Sequence, residues 1–156
     1  MPDLLKIINK NVPEVFLTMA GLTATHAGGD KHPSQPSTLK GVTGSVSLSG
    51  KASGIVYTGF SQSLASAVAI RVLGGDSPTD EEISDVVGEF TNMITGNLKS
   101  HLCDASYPCQ LSIPTVMRGG EISVVAKSAT LCVRNTFSFE ELQEDLVVLV
   151  FAKLDT

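Results

Sequence analysis

Residues 77–103 read SPTDEEISDVVGEFTNMITGNLKSHLC, and four of them, Asp85, Glu89, Asn92 and Gly96, recur at three- and four-residue steps. At about 100° per residue they fall within an arc of roughly 60° on a helix. A carboxylate and a carboxamide therefore stand one turn apart. The first offers an anion for an ion pair, and the second offers one acceptor and one donor group. Gly96 leaves bare backbone one turn further on, where another molecule can approach closely, and Gly88 borders the same line. An interior glycine costs a helix about 1 kcal/mol relative to alanine, so two beside one line call for a reason other than helix formation. Solvated helix faces commonly carry Glu, Asp and Asn, so the spacing alone does not separate a site from ordinary surface. A second feature adds to it: the strand-like segment Gln110 to Met117, which contains Ser112 and Pro114.

The element that must position these residues is well marked. Ser77 or Thr79 can cap a helix, Pro78 suits its first position, and Thr79 with Glu82 can form a capping box. Acidic residues 80–82 suit the positive end of the helix dipole, and Lys99 and His101 suit the negative end. Ile83, Val87, Phe90, Ile94 and Leu98 make an apolar stripe opposite the polar line.

Around that helix the pattern predicts an α+β fold, with three main helices packed on a largely antiparallel sheet of about six strands. Leu4 to Ala20 reads as a first helix with Leu5, Ile8, Val12, Val15, Phe16 and Met19 facing inward, kinked or delayed by Pro13 and stopped at Gly21. Residues 23–38 read as a polar Pro/Gly loop. Lys40 to Ser49 and Ala52 to Phe60 form a hairpin about Gly50-Lys51, and Leu64 to Leu73 forms a small apolar helix ended by Gly74-Gly75. Cys109 to Met117 is a strand followed by a turn at Arg118-Gly119-Gly120. Ile122 to Phe137 is one long or broken strand, residues 139–145 are turn-like, and Leu146 to Leu154 closes the sheet. One domain covers residues 1–156.

Composition excludes several classes. The net charge of −5 and the scattered Lys and Arg give no footprint for nucleic acid or an anionic membrane. With no Trp and 5% aromatics there is no stacking platform for single strands. No apolar run reaches the ~20 residues of a membrane span and no signal peptide is visible. Three cysteines without framework spacing argue for reduced structural thiols and a cytoplasmic location. His26, Asp30 and His32 offer no second rigid ligand set, so no metal is expected. A small-molecule hydrolase lacks support, because no G-x-S-x-G elbow is present and no His lies near a plausible nucleophile.

Asp85-x3-Glu89-x2-Asn92, followed by Pro114, resembles the signature of the CheC/CheX/FliY phosphatases of bacterial chemotaxis. The order of the Gly-rich hairpin, the Ala-rich helix, the GG turn and the E-x-x-N helix is most similar to CheX. Members of the CheC type carry two such sites. Here the first helix supplies neither Asn11-x3-Val15-x2-Thr18 nor Glu14-x2-Leu17 with the required pair, so one site per chain is expected, with Val15 and Leu17 as core residues.

The resemblance implies a substrate, a phosphorylated CheY-like response regulator carrying phosphoaspartate. It implies that Glu89 pairs with a lysine of that regulator and that Asn92 orients the attacking water. Asp85 would contact the rim, Gly88 and Gly96 would let the partner's loop sit close, and Pro114 would end or bend the strand beside the helix. Mg²⁺ would be held by the regulator, with no cofactor on this chain. A homodimer is implied, with the strands at 122–137 and 146–154 as candidate edges. The alternative is a non-catalytic module that binds a response regulator or serves as a signalling scaffold.

Overall fold

A computed structural model describes residues 2–31, 33, 36–125 and 130–155. Three helices, α1 (Leu4–Ala20), α2 (Gln62–Leu73) and α3 (Asp80–Asp104), pack on an antiparallel sheet of seven strands. These are β1 (Ala24–Lys31), β2 (Ser37–Gly50), β3 (Ala52–Phe60), β4 (Cys109–Leu111), β5 (Thr115–Val124), β6 (Leu131–Phe139) and β7 (Glu144–Leu154). The sheet order is β1-β6-β7-β3-β2-β4, with β5 also paired to β2. The helices cover one face. Their core is built from alternate strand residues such as Val56, Phe60, Val148 and Val150, and its centre is aromatic. Phe16 of α1 meets Phe90 of α3 at 4.7 Å and Phe139 of β6 at 4.9 Å between ring centroids.

Of the two readings of Ile122 to Phe137, one long strand or a broken one, the broken one holds, and its two parts lie on opposite sides of the sheet, β5 beside β2 and β6 between β1 and β7. Residues 126–129 lie outside the described residues. Of the candidate edges, β7 is internal, as is the β6 part of 122–137, whereas residues 122–124 belong to β5, which pairs with β2 alone among the described residues. Arg118-Gly119-Gly120 is not a terminal turn. It lies inside β5, where both glycines take positive φ opposite a register shift between Lys40 and Val42 of β2. At that bend Gly41 has φ +92°, and an added Cβ would stand 2.5 Å from the Phe60 carbonyl. The far half of the β2–β5 ribbon thereby lays Leu39, Ile122 and Val124 over the rear face of the sheet, against Leu149, Phe151 and Cys132.

Residues 24–31 of the expected loop form a strand, β1, paired with β6 from Ala24↔Phe139 to Lys31↔Val133. A polar strand with two glycines carries little β signal of its own; pairing to a half-buried neighbour supplies what its sequence lacks. Asp30 is held by Arg134 at 3.1 Å, whereas His32, Ser34 and Gln35 of that segment lie outside the described residues. Met19 and Leu17, both read as core, are 37% and 61% exposed: Leu17 lies on the side of α1 away from the buried line of Ile8, Val12 and Val15, and Met19, in the last turn, opens on a groove beside Leu73.

Candidate functional site

The capping box at the start of α3 is complete. Thr79 Oγ1 accepts from the Glu82 backbone N–H at 3.1 Å, and the Glu82 carboxylate accepts from the Thr79 N–H at 2.9 Å. These bonds hold the Glu82 carboxyl below the usual range. Because Thr79 is the cap, the helix opens at Asp80 and Pro78 lies just before it. The whole stripe Ile83, Val87, Phe90, Ile94 and Leu98 is buried. Asp85 and Glu89 are exposed, and Asn92 and Gly96 are half-buried. The anion and the amide therefore stand on the open side of a 25-residue helix whose other side is locked into the core.

Three contacts fix how that helix is rotated. Thr91 is fully buried and meets Thr58 of β3, hydroxyl to hydroxyl, at 2.6 Å. Thr91 gives its own proton to the Val87 carbonyl at 2.7 Å, so Thr58 must be the donor in the pair. Gly44 of β2 makes room for this junction, since a Cβ there would stand 2.1 Å from Thr91 Oγ1. Arg118, at the bend of β5, donates through Nε to Ser84 Oγ at 2.8 Å and through Nη2 to the Asp80 carbonyl at 2.6 Å. Sequence reading missed Thr58, Thr91 and Arg118. The signal for the threonines was available: a Thr pair at 91 and 95, four residues apart on an otherwise apolar side, needs polar partners, and Thr95 finds one in the Thr91 carbonyl.

Gly88 is buried, and the space beside its Cα faces Val116 and Pro114 of the same chain, at 3.5–3.7 Å from a hypothetical Cβ. It serves contact between α3 and the β4–β5 connection, not an open surface for a partner's loop. Gly96 has nothing within 4 Å of the equivalent position. Pro114 separates β4 from β5, as its residue type suggests. Ser112, for which the sequence offered no role, bridges the break: its backbone N–H donates to the Ser47 carbonyl at 3.0 Å and its hydroxyl accepts from the Ser47 N–H at 2.9 Å.

Asn11 of α1 is not displayed. It is 4% exposed, and its Nδ2 has no hydrogen-bond partner. Among the described residues, no group of three or more His, Cys, Asp or Glu is arranged to hold a metal ion, and no helix is long and apolar enough to cross a membrane. Cys109 and Cys132 are buried free thiols whose pKa values burial pushes up.

What such a face can do is limited and specific. An exposed carboxylate can hold a cation of another molecule. An amide beside it can orient a small polar molecule. A protein-family model, Chemotaxis phosphatase CheX, matches residues 42–138, which span β2 to β6 and include the whole of α3. No curated protein matches the sequence. Among solved structures, a chemotaxis protein of Desulfovibrio vulgaris Hildenborough is 26% identical with a TM-score of 0.81, over 95% of each chain. The chemotaxis protein CheX of Vibrio vulnificus is 22% identical with a TM-score of 0.83, over 96% of this chain and 98% of that one. The CheX of a CheX–CheY–BeF3–Mg²⁺ complex from Borrelia burgdorferi is 20% identical with a TM-score of 0.77, over 97% and 98%.

Proposed function

The chain belongs to the chemotaxis phosphatase CheX family, and from that premise we propose that it accelerates hydrolysis of the phosphoaspartate on a CheY-type response regulator. The observation that carries this reading is the pair of exposed Glu89 and half-buried Asn92, one turn apart on the open side of a helix that three separate contacts hold in one rotation. Glu89 forms a salt bridge with a lysine of the regulator. Asn92 enters the acyl-phosphate pocket and holds a water in line with phosphorus. Water attacks, the bond between phosphorus and the aspartyl oxygen breaks, and inorganic phosphate and a free carboxylate result. Phosphoryl transfer of this kind passes through a loose transition state, so the water needs placing more than deprotonating, and a neutral amide suffices. The regulator would hold the Mg²⁺, which would offset charge on the phosphoryl oxygens there. Asp85 and Gly96 border the contact.

The chain acts as a single domain and as a homodimer whose sheets join edge to edge. β1 and β5, each paired on one side among the described residues, are the strands suited to that role. Light scattering that returns a monomer at working concentration removes the dimer from this account.

The lifetime of a phosphorylated CheY-type regulator, with and without this protein, tests the activity. Acceleration by the wild type and its loss by on the order of 10²-fold in Asn92→Ala, with an unchanged melting temperature, is the expected result. An unaltered lifetime with the wild type, or full activity in Asn92→Ala, overturns it. Binding without any change in lifetime makes the chain a response-regulator-binding module instead.

A further inference from the structure

Beside Glu89 the helices leave a groove of about 330 Å³, walled by Met19 of α1, Val72 and Leu73 of α2, and Glu82, Asp85 and Glu89 of α3. Its apolar wall is unusually open. Leu73 is 50% exposed and Met19 37%, and the two stand side by side on this wall. Its other wall is anionic, and no Lys or Arg lines it among the described residues. A groove between copies of a chain carrying −5 would bring these carboxylates toward a second acidic surface. A partner segment that pairs an aliphatic or aromatic side chain with a neighbouring lysine or arginine satisfies both walls at once. Methionine suits such a wall because its thioether and three rotatable bonds adapt to the shape inserted. Glu89 and Asp85 lie on the groove and on the motif line together, so a protein docked over Asn92 sits at its mouth.

We infer that this groove is a second docking point for the regulator, receiving an apolar side chain of that protein flanked by a basic residue. It rests on the reading of the chain as a partner of a CheY-type regulator and extends that reading beyond Glu89 and Asn92. Its role is affinity, and Asn92 retains the chemistry.

The test measures dissociation constants for beryllium-fluoride-activated regulator and, in parallel, KM and kcat for the phosphorylated form, with the intact wild type, Leu73→Asp, Asp85→Asn and Asn92→Ala. Leu73 ends α2 and is half exposed, so its replacement leaves the core intact. The expected results are a rise of about tenfold in Kd and KM for Leu73→Asp, equivalent to about 1.4 kcal/mol, with the loss recovered at saturating regulator. The wild-type Kd rises with salt, and Asp85→Asn reduces that dependence. Kd and KM within twofold of wild type in Leu73→Asp overturn the inference, even where Asn92→Ala abolishes turnover and so upholds the activity. A Leu73→Asp variant that dissociates from dimer to monomer, with an unaltered Kd for the regulator, overturns it too and assigns the groove to contact between copies.

Discussion

α1 and α3 are the two long helices on the same face of the sheet, they touch through Phe16 and Phe90, and among the two asparagines that each carries, Asn11 and Asn92 make a contrast. Their fates are opposite. Asn11 is sealed inside with Nδ2 unpartnered, whereas Asn92 is half-buried on the open line of α3, next to Glu89. An amide becomes a reagent only where another molecule can reach it, and that depends on which way the helix is rolled. On α1, Ile8, Val12 and Val15 roll Asn11 inward. On α3, Phe90, Ile94 and the Thr58–Thr91 junction roll Asn92 outward.

The contrast is broken most directly by removing each amide in turn. Asn92→Ala is expected to lose on the order of 10²-fold in accelerated dephosphorylation. Asn11→Leu is expected to leave that rate unchanged and to raise the urea midpoint, because a buried donor without a partner carries a desolvation cost. Should Asn11→Leu slow turnover, the division between the two helices is wrong. Glu89→Lys comes next. It reverses the charge offered to the regulator and should raise Kd at least tenfold at low salt, less at high salt, as titration calorimetry at two ionic strengths would show.

Thr91→Val probes the roll itself. It strands the Thr58 hydroxyl in the core and should cost about 1–3 kcal/mol in denaturant unfolding, and turnover at saturating regulator should fall with it as Asn92 loses its setting. A Thr58→Val, Thr91→Val pair that recovers stability without recovering turnover would separate positioning from folding. The smallest effect is at the capping box. The Glu82 carboxyl is depressed by its bonds to Thr79, so its contribution to stability is present at neutral pH and is lost as the pH falls through the ordinary carboxylate range and below. Glu82→Gln should therefore have an unfolding midpoint less sensitive to acid than the wild type, by a shift small beside that of Thr91→Val.

Much of the site was legible because it is local. Capping box, apolar stripe and polar line all lie within one helix, and a helix converts spacing into direction without help from the rest of the chain. Gly88 shows the limit. Its place on the helix is plain from spacing, but Pro114 and Val116 cover it from a distant segment. Met19 fails for a related reason: periodicity puts it on the buried line of α1, but it opens on the groove beside Leu73, whereas Leu17 lies on the opposite side of that helix. β1 was invisible because its pairing partner lies more than a hundred residues away, and a polar, glycine-containing strand borrows its order from that neighbour.

By its sequence alone this protein determined the existence of α3, its cap, and the presentation of Glu89 and Asn92 on the side opposite the apolar stripe, since these follow from backbone geometry and the preference of apolar side chains to leave water. Only the tertiary structure decided the angle at which that line faces outward, the covering of Gly88, and the open groove against Met19 and Leu73. Those depend on hydroxyl contacts, strand bends and helix ends brought together from remote parts of the chain, and no local pattern records the distances between them.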